Sequence, residues 1–201
     1  MTKRGLNHKG DAVDPEVLIQ WIGQAKKGDL RAFQRIYDQF ARKVLNFIYR
    51  MVASIEEAED LTQETFVTVY QKVSSLKDDA KFEPWLFRIA RNFAYQRYRR
   101  RTPVTVSVDA QDDEGRNATV LVDQRKDPHE IFQAGELQRV VQSVISSLPE
   151  KYREVFILSA IHHLSYQEIA DIVGRSLPSV KTDIHRARLQ VRKQVKEYMK
   201  D

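Results

Sequence analysis

The strongest constraint in this chain is the spacing of its apolar residues. Leu30, Phe33, Ile36, Tyr37, Phe40, Val44, Phe47 and Ile48 recur every three or four positions. On a helix they form one stripe, whereas a strand would need strict alternation. The same period runs through most of the chain, and 201 residues contain only seven glycines and six prolines. The expectation is an all-α fold. Asp14 and Pro15 read as N-cap and first position of an opening helix that stops near Gly28, and Asp29 caps the next. Ser54 and Glu57 have capping-box spacing ahead of "AEDLTQETFVTVYQKV". A loop, "SSLKDDAKFEP", then leads into "WLFRIARNFAYQRYRRR", giving a first block of about four helices.

Residues 103–128 break the period. They are polar, acidic and bracketed by Pro103 and Pro128, and read as a linker; their short β-branched runs are also compatible with a hairpin. Helical spacing resumes with Ile131, Leu137, Val140, Val141, Val144 and Ile145. Pro149 opens "PEKYREVFILSAIHH", and Ser165 with Glu168 forms another capping box before "YQEIADIVG". Gly174 ends that helix and Ser176 caps the last one. A short helix, a tight turn with Gly and a basic helix make a helix-turn-helix arrangement. The organisation is therefore a disordered extension over residues 1–13, a helical domain over 14–102, a linker over 103–129 and a helix-turn-helix domain over 130–201.

Net charge is +5, distributed as +2, +4, −3 and +2 over those four segments. Two basic blocks flanking an acidic middle favour a polyanionic partner. The chain has no cysteine, which excludes disulfides and thiol-ligated metals and fits a reducing cytoplasm. No apolar run approaches the ~20 residues that span a bilayer, and the basic start lacks an apolar signal core. No cofactor, metal site or catalytic set is expected. His162 and His163 are adjacent, so a helix points them apart.

On a helical wheel the last helix separates its faces. Val180, Ile184, Ala187, Val191 and Val195 share one sector and should be buried. Thr182, Arg186 and Leu189 lie opposite, with Ser179 and His185 on the shoulders. Hydroxyl, imidazole and guanidinium groups near the start suit major-groove entry, while Lys193 and Lys196 suit phosphates. Asp183 is the odd charge in this basic helix. The wheel puts it on a flank, favoured by the helix dipole and within reach of Arg186. In the fourth helix Phe82, Leu86, Ile89, Ala90 and Phe93 can pack inward, and Trp85 also reads as core. Arg88, Arg91, Asn92, Tyr95, Gln96, Arg99 and Arg100 cover the remaining surface, a mixture suited to single-stranded nucleic acid. Asp60, Gln63 and Glu64 share a face at i, i+3 and i+4, which fits either a protein partner or ordinary solvation.

Taken together, "AEDLTQETF", "FEPWLFRIARN…YRRR", "LPEKYREVFIL" and "LSYQEIADIVGRSLPSVKTDIHRARLQVR" resemble the extracytoplasmic-function (ECF, group IV) sigma factors of the sigma-70 superfamily, in the family's order and spacing. The resemblance runs from about Asp14 to Lys196. It implies two helical domains, sigma regions 2 and 4, and no enzymatic activity. Asp60, Gln63 and Glu64 match positions that bind the β′ clamp coiled coil of core RNA polymerase. The loop from Ser74 to Phe82 matches the segment that takes a flipped base, so Lys77, Lys81, Arg88, Arg91, Asn92, Tyr95, Gln96, Arg99 and Arg100 are expected on the melted −10 strand. Ser179, Lys181, Thr182, His185, Arg186 and Lys193 are expected on the −35 duplex, with region 4 leaning on the β flap. An anti-sigma factor is implied as a further partner. Gln96 and Asp183 depart from residues frequent in the family and bear on promoter preference. The reading from another class is a stand-alone helix-turn-helix regulator that binds operators as a dimer.

Overall fold

The computed structural model describes residues 13–101 and 139–198. The N-terminal extension, the linker with its alternative hairpin, and the helix start around Ile131 and Leu137 lie outside the described residues. The side chain of Arg100 does too. Every regular element among the described residues is helical.

Local capping explains where the first helices begin. Asp14 accepts from the Glu16 N–H at 2.9 Å and Pro15 takes the first position of α1, Pro15–Ala25. Gly28, at φ +89°, reverses the chain. Asp29 then accepts from Arg31 and Ala32 to open α2, Leu30–Val52. The apolar stripe of α2 is buried at Ile36, Phe40, Val44, Phe47 and Ile48. Leu30 and Tyr37 leave it, at 64% and 36% exposure. Leu30 is the first residue of its helix and lies at the bundle margin, and Tyr37 packs edge-on against Phe66 instead, with ring centroids 4.8 Å apart.

Ser54 caps α3, Ile55–Lys72. Two 3₁₀ turns, Val73–Ser75 and Asp79–Lys81, lead into α4, Phe82–Arg101. The loop between α3 and α4 is pinned from beneath. Leu76 and Phe82 are buried, and the Lys26 ammonium donates to the Leu76 carbonyl at 2.5 Å and pairs with Asp79. The helices α1 to α4 pack around α2.

The second unit starts with α5, described over residues 139–146. It continues through α6, Glu150–Phe156, a π-helical turn at Ile157–Ile161, α7, Tyr166–Val173, and α8, Leu177–Tyr198. The sequence reads 150–163 as one continuous helix; the π turn widens its end. The His162 N–H reaches back five residues to Ile157 at 3.1 Å, and this turns the His162 ring toward the first unit. Both halves of the Ser165–Glu168 capping box are present, at 2.8 and 3.2 Å. Gly174 ends α7 in the left-handed region at φ +67°.

The two units are not separate beads. α4 packs on α7, and α2 packs on the π turn, so their buried apolar side chains form one continuous cluster. Phe47 lies at this junction, fully buried, with its ring 5.5 Å from Phe87 and 6.1 Å from His162. Phe47→Ala is expected to cost about 3–5 kcal/mol of stability. Denaturant unfolding followed by circular dichroism checks this; a loss under about 1 kcal/mol would mean that the neighbours collapse into the gap.

Candidate nucleic-acid interface

Three exposed surfaces carry the residues singled out in the sequence. On α3, Asp60, Gln63 and Glu64 are exposed on one face. With Val67, Thr68 and Phe93 they line a shallow concavity. Val67 and Tyr70 beside them are 57% and 48% exposed, so an acidic rim borders an apolar floor. That combination fits a protein surface better than solvent alone. The helix is held in place by Ala58, Leu61, Phe66 and Val69 on its opposite side.

The second surface is α4 with the loop before it. Lys77 and Lys81 project from the pinned loop, and Asn92, Gln96 and Arg99 are exposed along the helix. Phe82, Leu86, Phe87, Ala90 and Ala94 are buried beneath. Trp85 is half-buried against the Phe82 ring at 5.9 Å, consistent with a core role. Arg88, Arg91 and Tyr95 recur at i, i+3 and i+7 on the side that meets the second unit, where Arg88 stays exposed while Arg91 and Tyr95 are half-buried. The Arg88 guanidinium donates to the Asp171 carbonyl of α7. Arg91 lies over the Tyr95 ring at 4.3 Å and donates to Glu154 of α6 at 2.6 Å.

The third surface is the outward face of α8. Ser179, Lys181, Thr182, His185, Arg186 and Lys193 are all exposed, while Val180, Asp183, Ile184 and Ala187 are buried. The wheel places Val180, Ile184 and Ala187 correctly, but Val191 is half-buried and Val195 is 39% exposed, because the end of α8 runs past the helices it packs on. It misplaces Asp183, which is 6% exposed. Its partner is Arg175 at 2.7 Å, not Arg186, which instead donates to the Tyr152 hydroxyl at 3.4 Å. A residue from the turn before α8 reaches the carboxylate, and a wheel drawn for one helix cannot show it.

Charges not singled out in the sequence join these surfaces. Glu154 is 1% exposed and takes Arg91 on one oxygen and Arg175 on the other, each at 2.6 Å. Burial pushes its carboxyl above the ordinary range, and the two guanidiniums pull back. Burial likewise pushes the Tyr95 phenol up, with the nearby Glu154 and Glu150 charges adding to it. Arg153, 8% exposed, donates to the Met51 carbonyl at 3.1 Å and to the Ser146 and Leu148 carbonyls at 2.5 and 3.1 Å. It thereby satisfies carbonyls at the ends of α2 and α5. The available signal was the pair Arg153–Glu154 inside the apolar run "YREVFIL", since charges embedded in a buried stripe need partners.

Comparison with known proteins decides the class. The family models for Sigma-70 region 2 and Sigma-70 region 4 match residues 36–103 and 138–191. The ECF RNA polymerase sigma factor SigW of Bacillus subtilis is 36% identical over 178 residues, covering 88% of this chain and 95% of that protein. The chain belongs to the ECF sigma factors. The ECF sigma-E factor of Escherichia coli is 33% identical over 175 residues, 86% of this chain and 90% of its own. Among solved structures, CnrH in complex with the cytosolic domain of CnrY matches with a TM-score of 0.68 at 24% identity. It covers 90% of this chain and 98% of that one. RpoE from Bartonella quintana, in complex with the anti-sigma factor NepR, matches with a TM-score of 0.64 at 21% identity, over 83% and 98% of the two chains. These two likenesses concern the fold. The protein is thus a sigma factor of transcription initiation, and the stand-alone dimeric regulator is not favoured. No described helix of this sigma factor is long and apolar enough to cross a membrane.

The buried Asp183 leads to a definite expectation. Asp183→Ala should lower stability by about 1–3 kcal/mol, because Arg175 loses a charged partner in a largely buried site. It should weaken binding to duplex DNA uniformly across sequences. Denaturant unfolding and a panel of single-substituted duplexes measure the two effects; relaxed preference at one base pair alone would show that the carboxylate reads a base.

Proposed function

We propose that this sigma factor directs core RNA polymerase to a promoter set through the three surfaces, without bond-making chemistry of its own. The observation that carries the reading is the two-faced α8: six polar and basic residues point outward while the opposite side is sealed into the core. Residues 130–201 act as the −35 domain. Ser179, Lys181, Thr182, His185 and Arg186 enter the major groove, Arg186 bridging guanine O6 and N7, and Lys193 takes a phosphate. This domain also leans on the β flap.

Residues 14–102 act as the −10 and polymerase domain. Asp60, Gln63 and Glu64 dock on the β′ clamp coiled coil. The pinned loop with Lys77 and Lys81 receives an unstacked base. Arg88, Arg91, Asn92, Tyr95, Gln96, Arg99 and Arg100 hold the melted strand by phosphate pairing and stacking. An anti-sigma factor is a further partner, as NepR is for the RpoE of similar fold. The protein works in the cytoplasm, where polymerase is.

Run-off transcription with core polymerase over a randomised promoter library tests this reading. The full chain is expected to select one promoter class, and Arg186→Ala to cost about 1–3 kcal/mol of binding while relaxing one −35 position. Asp60→Lys should abolish comigration with core polymerase on gel filtration. No start above core enzyme alone, with Arg186→Ala behaving like wild type, would refute the proposal.

A further inference from the structure

Residues 74–81 join α3 to α4 through two 3₁₀ turns, and Ser74, Ser75, Lys77, Asp78, Ala80 and Lys81 are exposed. The bonds within this loop are short-range. Asp78 caps the second turn by accepting from the Ala80 N–H at 3.1 Å, and the Lys81 N–H donates to the Asp78 carbonyl at 3.1 Å. Such bonds shape a turn but do not fix where it stands on the bundle. Contacts from other elements do that. Where the loop enters α4, Phe82 meets the Phe40 ring edge-on at 5.5 Å, and Glu83 pairs with Lys43 of α2 at 3.2 Å. In the middle, a side chain from α1 takes hold. The Lys26 ammonium donates to the Leu76 carbonyl at 2.5 Å and to the Asp79 carboxylate. One cation thereby ties the end of the first turn to the start of the second.

Lys26 stands where it does because of its own helix end. It is the C-cap of α1, with its N–H bonded back to the Ile22 carbonyl at 2.9 Å, and Gly28 turns the chain away two residues later. The end of α1 packs on both 3₁₀ turns, so the side chains of Lys26 and Asp79 are 22% and 25% exposed. A pair shielded to that degree is screened less by salt than a fully exposed one.

We propose that Lys26 is a positioning residue for base capture, holding residues 76–79 in the shape that admits one unstacked base and acting on the strand only through that loop. The inference rests on the loop being the base receiver. Two effects act together. The loop is ordered before DNA arrives, so strand binding does not bear the entropy of ordering it. The ammonium also covers Asp79, whose carboxylate would otherwise repel a strand phosphate brought to Lys77 and Lys81. Neither effect reaches α8, which belongs to the other unit. The signature is therefore selective: −10 base preference depends on Lys26, and −35 preference does not.

The test uses holoenzyme reconstituted from the full chain and core RNA polymerase, with run-off transcription over libraries randomised at the −10 or the −35 element. Lys26→Met keeps the stem and removes the charge. It is expected to flatten the preference for one −10 base about tenfold, and to leave −35 preference within about twofold of wild type. Lys26→Arg, whose guanidinium can still bridge a carbonyl and a carboxylate, should retain the −10 preference. Hydrogen exchange of the free protein reports the pin itself. The Leu76, Ala80 and Lys81 amides, each bonded within the loop, should exchange about tenfold faster in Lys26→Met. Unchanged exchange overturns the proposal, as do −10 and −35 preferences that fall together, the mark of a general loss of fold. Faster exchange with the −10 preference intact also overturns it, and a chain with residues 77–80 replaced by Gly-Ser-Gly-Ser then locates the failure. If that replacement loses the preference, the loop captures the base without help from Lys26. If it keeps the preference, the loop is not the base receiver and the underlying reading falls. Should Lys26→Met not fold, Asp79→Asn decides in its place: it removes the ion pair and must reduce the −10 preference alone, and a preference left intact overturns the proposal.

Discussion

The structure depends on one buried carboxylate. Glu154 sits between Arg91 of α4 and Arg175 of the turn before α8, and Arg175 passes the charge on to Asp183. An unpaired carboxylate at 1% exposure would be strongly disfavoured. Two guanidiniums at 2.6 Å make it tolerable, and their geometry fixes three elements at once. Arg175 ties α6, the helix-turn-helix corner and α8 together, because its two terminal nitrogens bond Glu154 and Asp183 separately. The outward face of α8 therefore points where it does for electrostatic as well as hydrophobic reasons. A pair of this kind adds little net stability compared with apolar packing, but removing one member leaves a buried charge unpaired. Its contribution is orientation.

Most of the fold was legible in the sequence. The stripe of α2, the caps at Asp14, Asp29 and Ser54, and the Ser165–Glu168 box appear where local chemistry puts them. These features are legible because each concerns neighbours within one turn. Failures began where partners came from another element. Asp183 looked like a flank residue paired with Arg186, yet Arg175 reaches it from across the turn. Leu30 looked like core, yet a stripe cannot show where the opposing helices end. The π turn at Ile157–Ile161 left no period break, since one extra residue in a mostly apolar run keeps the run apolar.

The functional surfaces divide along the same line. The outward polar face of α8 and the acidic face of α3 are single-helix properties, and both lie exposed as the wheel requires. The α4 surface is a property of two units. Its chemistry was plain from residue types, but Arg88, Arg91 and Tyr95 turn toward the second unit, and the residues that meet them lie far along the chain, in α6 and α7. Arg153, Glu154 and His162 were hidden among apolar neighbours in a segment whose charges had no visible partners. Buried charge in an apolar run is the one sequence signal that pointed to the junction.

That junction combines contacts of opposite character. The apolar part, Phe47 and Phe87 against His162, favours docking without direction and is insensitive to salt. The ionic part, Arg91 with Glu154, is directional and competes with any other anion brought to α4. A purely apolar junction would bind the units regardless of nucleic acid, and a purely ionic one would be screened away at cellular salt. With both, an apolar contact and a directional ionic one hold the same two units together. The carboxylate ties the two together, because without Arg91 it would stay buried with Arg175 as its remaining guanidinium.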